Sequence, residues 1–544
     1  MLFNTDVYTG ERLWQRIQKD MDKNRRFLVG QLEAYINDED TEKVCLLYGL
    51  RRTGKTTMIS HCLLNMSASD FDVSAYISLN SSDTVGKLRA DLDSLYEKGF
   101  QYVFIDEITM LEDFISIANI YSDVYVKDGM KIVLTGTDSL GFIFAKGSTL
   151  YDRCEMIHTT FIPFYEFIHI FPEKNIDDYI EQGGTLIHEF DPSHPFYSGR
   201  SSNEYVDTAI AHNIQHSLEC YEDGRYFAHL SELNDKDELT NVINRLVQRK
   251  NREFLLNIIN RKFKSSDYGS AYQILESRLA KEHKKNPMDT LDKEKIRQHI
   301  MDKLDILEKK DRMIDVKQEA LHQLNEYLQL LDLTQNYVVM FLGDTEKKEE
   351  HVLFNQTGLR YSQVKELYKV LDDDQDFRKL TFDEKKMILE IMDNDVKGNI
   401  LEEMVLANTM YVLEQQRTYK ELYPRYEVYQ IVFQWNNKEK RNGEYDMVII
   451  DNEKQDISVF EVKHSSNIVE EQTKHLLDED KIHCLEEAFH AHVSNKIVIY
   501  LGSTIGLDDE VLYLNAMDFF KTLEKLDKNY ELFIESGQEQ GWCI

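Results

Sequence analysis

The chain has 544 residues, 42% of them hydrophobic and 11% aromatic, so it can bury large cores and, at the usual domain size, divides into about three or four units. A formal charge of −33 excludes a surface that coats nucleic acid indiscriminately, because phosphate contacts need Lys and Arg in excess; any such contact needs a local basic patch. Cys45, Cys62, Cys154, Cys220, Cys484 and Cys543 show no CxxC spacing, which suits reduced thiols better than a disulfide frame or zinc site. The first residues carry charges where a signal peptide needs an apolar core, and no stretch approaches the roughly 18 uninterrupted apolar residues of a membrane span, so no membrane is expected and the expected location is the cytoplasm.

From Lys43 onward, apolar runs of strand length alternate with amphipathic runs of helix length, which predicts a parallel sheet covered by helices. The first unit is KVCLLYGLRRTGKTTMISHCLL, where Gly49, Gly54, Lys55 and Thr56 fill G-x-x-x-x-G-K-[ST] between a strand and a helix. The glycines let backbone N–H groups wrap phosphates, and the helix N-terminus adds positive potential. Lys55 is expected to reach the outer phosphates and Thr56 to ligate magnesium, with Arg51 and Thr57 beside them in the nucleotide-binding set. After a second strand, VSAYISLN, the run QYVFIDEITM puts Asp106 and Glu107 at a strand end, the form of a magnesium-holding Asp followed by a water-activating Glu. The next strand, KIVLTGTDSL, ends in Thr135, Thr137 and Asp138; one of these could orient the attacking water, or they form a polar strand end and helix cap. Thr135 is assigned to the nucleotide site.

The segments GLRRTGKTT, VFIDE, IVLTGTDS, LYDR, FIPFYEF and YIEQGG resemble, in that order, a large group of prokaryotic AAA-like P-loop ATPases. An Arg follows the fourth strand in that group, and Arg153 occupies its place. The resemblance implies that Arg153 contacts a nucleotide phosphate or a neighbouring motif. Beyond Glu189, DPSHPFYSGRSSNEY reads as a connector and helical patterns run to about Leu333. The run QEALHQLNEYLQLLDLTQNYVVMFL then turns from helical to extended, as in a helix followed by a wing strand, and the resembled group carries a winged-helix region here. One stretch is basic: Arg245, Arg249, Lys250, Arg252, Arg261, Lys262 and Lys264 stand against the single acid Glu253. It is the candidate phosphate-facing stripe for DNA, with a solvated helix face as the plainer explanation.

The back of the chain contains GEYDMVIIDNEKQDISVFEVK, two extended runs joined by a polar turn. Residues alternate sides along a strand, so Glu461 and Lys463 share a face, and Asp446 begins the partner run near the same end of a hairpin. Upstream, GNILEEMVLANTMYVL offers Glu402, although helical geometry would equally allow Glu403. Carboxylate oxygens suit hard magnesium or manganese, which can activate water for phosphodiester hydrolysis while a lysine neutralises developing charge. The set Glu402, Asp446, Glu461 and Lys463 resembles the PD-(D/E)XK nuclease motif, and the ATPase group named above often ends in such a domain. Tyr445 stands where the motif's Pro would be.

The expected fold is thus α/β and multidomain. A P-loop AAA-like ATPase domain with a parallel sheet spans residues 1–189, a helical and winged-helix region 190–350, and an α/β restriction-endonuclease-like domain 351–544. The expected cofactors are ATP and magnesium, with manganese an alternative at the nuclease-like site. The expected metal ligands are Thr56 and Asp106 in front and Glu402, Asp446 and Glu461 behind. Two functions compete: an ATPase whose nucleotide state controls DNA cleavage, and an ATP-driven switch or DNA- or protein-binding module that does not cut. A remodeller of the AAA type is a third reading, without recognisable substrate loops; a homo-oligomer stays open.

Overall fold

The computed structural model describes residues 3–38, 42–111, 114, 118, 120–137, 141–143, 146, 150–187, 194–220, 227–236, 238, 239, 242, 243, 295, 318–415, 424–436, 442–468, 473–508 and 510–528. Two sheets organise them. The first has six strands in the order β1 (Asp6–Thr9), β3 (Ser74–Ser78), β4 (Tyr102–Asp106), β5 (Lys131–Gly136), β2 (Val44–Tyr48) and β6 (Cys154–His158). Only β1 runs antiparallel to its neighbour; the other pairs are parallel. Parallel strands covered on both faces need apolar residues throughout, and VCLLY of β2 is buried at every position. Cys45 and Leu47 pack under helices α1 (Gly10–Ile17), α2 (Val29–Asn37) and α3 (Lys55–Asn65). Val44 and Leu46 face the opposite side, with Leu88, Leu92 and Leu95; α4 (Ala68–Asp72) precedes β3, and those three leucines belong to α5 (Val85–Glu97).

Helices α6 (Phe164–Ile170) and α7 (Ile176–Gln182) follow β6. A helical group comes next: α8 (Gly199–Tyr205), α9 (His212–Cys220), α10 (Ala228–Asn234) and α11 (Gln318–Leu330), closed around Tyr205, Ile210, Leu230 and Tyr327.

The second sheet has eight strands in the order β13 (Ile505–Asp508), β14 (Val511–Asn515), β12 (His492–Tyr500), β11 (Asp456–Lys463), β10 (Gly443–Asp451), β9 (Tyr426–Gln434), β7 (Thr334–Gly343) and β8 (Lys347–Phe354). An antiparallel meander, β9–β10–β11, continues in parallel through β12 and β14. On one face Phe460, Val462 and Ile499 meet α13 (Phe382–Gln415) and α15 (Ala516–Lys528); on the other, Val448, Val459 and Val498 meet α14 (Glu479–Phe489). Between the sheets, α12 (Thr357–Asp372) lies against α7 and α13.

The packing departs from the expected divisions in two places. The strand read as a wing, β7, pairs with β8 and extends the C-terminal sheet: Val338–Gly343 pair in parallel with Tyr429–Gln434 because Met340 and Leu342 share a core with Ile431 and Phe433. The expected boundary at 350 therefore cuts β8. Helices α6 and α7, assigned with the first sheet, turn Phe164, Phe167 and Tyr179 into the core of the second, where Phe164 meets Phe520 at 4.6 Å between ring centroids. Among the described residues, no helix is long and apolar enough to cross a membrane.

Candidate functional site

The loop after β2 is shaped by what it must avoid. A Cβ on Gly49 (φ 147°) would stand 2.4 Å from Thr159 Oγ1 and 2.9 Å from Thr160 Oγ1, so this position needs glycine for space as well as for backbone angle. Gly54 (φ 89°) turns the chain into α3, which begins at Lys55. The buried Lys55 ammonium donates to the carbonyls of Gly49 (2.8 Å) and Leu50 (2.9 Å), and burial pulls its pKa down to about 8. It is a cation held by neutral oxygens, poised for an anion.

Because β5 lies between β2 and β4, the ends of three adjacent strands meet at Asp106. Its carboxylate accepts from Thr56 Oγ1 at 2.9 Å and from the hydroxyls of Thr135 and Tyr76. Glu107 follows in the left-handed region (φ 60°), a costly backbone state for a non-glycine residue. Burial raises its carboxyl pKa, with Lys55 opposing the shift.

Two supports were invisible in the sequence. Arg26, buried, donates to the carbonyls of Thr53 (2.8 Å), Thr159 (2.7 Å) and Phe161 (3.1 Å) and pairs with buried Glu166 at 2.7 Å. It staples the P-loop to the exit of β6. Tyr76, which donates to Asp106, receives a hydrogen bond from Arg16 at 3.0 Å, and that guanidinium lies 4.3 Å over its ring. Neither arginine sits at a telling spacing, since every partner is distant in sequence. Beside the P-loop opens a cavity of about 550 Å³, whose walls include Asn24, Arg26, Thr57, His61, Phe171 and Leu186. That is the size of a small-ligand pocket.

The second candidate site lies where β10 and β11 pair. Met447 faces Phe460, which sets Asp446 beside Glu461, and the pairing of β10 with β9 shifts between Tyr445 and Val448, a bulge that re-aims Asp446. Asp446 Oδ2 accepts from the Val462 N–H at 2.7 Å. The Lys463 ammonium lies 2.9 Å from Glu461 Oε1 and 3.5 Å from Asp446 Oδ2. Glu461 Oε2 is buried without a hydrogen-bond partner among the described residues, and burial together with the Asp446 charge pushes its carboxyl up to about 8. Burial lowers the Lys463 pKa, but Asp446, Glu461 and Glu402 outweigh it and hold the ammonium above its ordinary value. Glu403 pairs instead with Arg360 of α12 at 2.9 Å. Among the described residues, no three His, Cys, Asp or Glu side chains form a group that could hold a metal ion.

Residues 41–168 match the AAA domain family. That stretch is an AAA-type P-loop ATPase domain. No curated protein matches the chain. Among solved structures, S. cerevisiae Hsp104 with casein in its extended conformation is 13% identical, with a TM-score of 0.25 and coverage of 38% of this chain and 39% of that one. Hsp104 in a closed state with ATPγS and FITC casein is 12% identical, with a TM-score of 0.24 and 40% and 42% covered. This chain thus spans less than half the length of these two. The ORC1 protein of Aeropyrum pernix in complex with DNA is 12% identical, with a TM-score of 0.25 and 67% and 98% covered.

Within the AAA domain, Arg153 stands at the end of the sheet away from the P-loop. Its carbonyl accepts from the Val44 N–H at 2.9 Å, which puts it at the start of β2, and its guanidinium pairs with Asp123 at 2.8 Å. The P-loop leaves the other end of β2, about 16 Å away for a strand of this length and beyond an arginine's reach. Arg153 therefore does not touch the nucleotide site of its own chain. Arg51 lies close enough for its charge to act on Glu107 and Lys55. Thr137 accepts at its carbonyl from Asn213, while Asp138 and the basic run Arg245, Arg249, Lys250, Arg252, Arg261, Lys262 and Lys264 lie outside the described residues.

Proposed function

We propose that this chain binds and hydrolyses ATP at its first sheet and that the nucleotide state controls a metal-dependent phosphodiester-cleaving site on its second. The observation that carries the first half is the meeting of Thr56, Asp106 and Thr135 above the buried Lys55. The oxygen donors Thr56 and Asp106 suit magnesium, which when bound supplies charge neutralisation for the phosphates. Lys55 would exchange its two carbonyl partners for phosphate oxygens. Glu107, its carboxyl pKa raised, would take the proton of the attacking water, and Thr135 fixes Asp106 so that both carboxylates hold their positions. The adjoining cavity is wide enough for a nucleoside.

For the second half, the support is the orphaned Glu461 Oε2 beside Asp446. A buried carboxyl with a raised pKa and an unused oxygen fits a divalent cation, which when bound supplies an activated water. Asp446 and Glu461 would hold it, with Glu402 a further acid whose charge reaches Lys463. Lys463 would then turn from the carboxylates to the phosphate. DNA is the proposed substrate, with the Arg245 to Lys264 run as the proposed entry. A non-cleaving switch is favoured by a different observation, namely that the Lys463 ammonium already pairs with both carboxylates.

The deciding experiment incubates labelled single- and double-stranded DNA and RNA with the protein and magnesium or manganese, with and without ATP, beside an Asp446→Ala control. Cleavage that needs the cation and disappears in the control supports the first reading; no cleavage of any substrate leaves the switch.

A further inference from the structure

Helix α7 stands between the two sites and touches the surroundings of both. The chain just before it, Ile170 to Glu173, and the chain just after it, Leu186 and Ile187, form walls of the cavity beside the P-loop. Leu186 also donates its N–H to the carbonyl of Arg52 at 2.9 Å, and Arg52 is a P-loop residue in the left-handed region (φ 68°). Gly54 leaves no slack here, since a Cβ on it would stand 3.0 Å from Leu186 Cδ1. A molecule seated on the P-loop and in the cavity therefore presses on the chain at both ends of α7.

The other side of α7 grips the second sheet. Asp177 Oδ1 lies 2.8 Å from His464 Nε2, while Nδ1 of the same ring lies 2.7 Å from Asn394 Oδ1 on α13. Lys397, also on α13, reaches Glu181 at 2.9 Å, Asp393 at 3.5 Å and Asp177 at 3.7 Å. The hydroxyls of Tyr361 and Tyr368 on α12 donate to Asp393 at 2.7 and 3.0 Å. His464 directly follows Lys463, so whatever moves its ring moves the end of β11 that carries Glu461 and Lys463.

We propose that α7 is the coupling element between the sites. Filling the P-loop and its cavity displaces the segment 170–187, and the Asp177–His464 hydrogen bond passes that displacement to the end of β11. Rigid elements tied by a few polar contacts shift as units, which is how small changes at one site reach another. The inference rests on the nucleotide reading of the first site and is independent of whether the second site cleaves.

The test is hydrogen–deuterium exchange on the full chain carrying Glu107→Gln, with and without ATP, beside a binding titration with a fluorescent ATP analogue. ATP should change exchange over both 176–182 and 460–466 by about fivefold or more, the low end of ordinary coupling. Asp177→Ala or His464→Ala, added singly, should keep the change at 176–182 and abolish it at 460–466. Asp177 is half-exposed, so its alanine variant keeps the fold if either does. No analogue binding overturns the nucleotide reading. Binding without a change at 460–466, or a change there that survives both substitutions, overturns the coupling role.

Discussion

Lys55 and Lys463 make an instructive pair. Each sits at the end of a buried strand or at the loop beyond one, and each is close to two acidic residues, yet their electrostatics are opposite. Lys55 is held by carbonyl oxygens, and burial lowers its pKa to about 8. Lys463 is held by Asp446 and Glu461, and its pKa is raised. The first lysine lacks, among the described residues, a counter-charge in hydrogen-bonding contact and gains most from an arriving anion. The second is already neutralised, and there the unmet demand belongs to Glu461, which gains from an arriving cation. A lysine beside two acids is therefore not one kind of site, and what distinguishes the two is which partner is left wanting.

The largest test of this contrast removes the base from the anion site. Glu107→Gln should lower ATP turnover by about 10²- to 10⁴-fold while ATP still binds, because only water activation is lost; equal turnover in a phosphate-release assay would remove Glu107 from the mechanism. Next in size is Arg26→Met, which strands buried Glu166 and should cost about 3–5 kcal/mol of stability in denaturant unfolding, with Glu166→Leu in the same chain restoring part of it.

The two pKa shifts make smaller, oppositely placed predictions. Bound phosphate keeps Lys55 charged, so ATP affinity should fall as pH rises above about 8, by at most about tenfold per unit, and a titration series from neutral to alkaline pH reads this directly. Glu461 behaves in the reverse sense. Its folded pKa of about 8 lies above the ordinary carboxylate value, so its contribution to stability is fully present below that ordinary value and is lost as pH rises towards about 8. Manganese binding at this site, which displaces the proton, should tighten over the same window by at most about tenfold per unit, and Asp446→Asn should flatten the dependence. The smallest effect is expected at Arg153→Ala, whose ATP turnover should match the parent; a clear loss would reinstate the arginine as part of the site.

The anion site was readable because its parts are contiguous: Gly49 to Thr57 form one loop, and Asp106 and Glu107 end one strand. What escaped was the support, since Arg26 gathers oxygens from Thr53, Thr159, Phe161 and Glu166, and no window of sequence contains them all. Asp446 and Glu461 were within reach because a short turn joins their strands. Glu402 and Glu403 could not be separated by helical geometry, and it is Arg360, on another helix, that engages Glu403. The strand β7 was misplaced for a related reason. A helix running into a hairpin looks the same locally whether the hairpin is a wing or a sheet edge, and only pairing with the distant β9 decides.

That edge pair carries a consequence for any attempt to separate the halves. A fragment beginning at residue 351 would lose β7 and half of β8, leaving the backbone donors and acceptors of β9 open along a hydrophobic strand, a template for aggregation. It would also lack Phe164, Phe167 and Tyr179, whose removal leaves voids under α13 and α15. A fragment ending before α6 would shed the chain that walls the cavity and closes over Gly54. The two sheets are thus poor candidates for dissection, and heating the whole chain should show them melting together rather than one after the other.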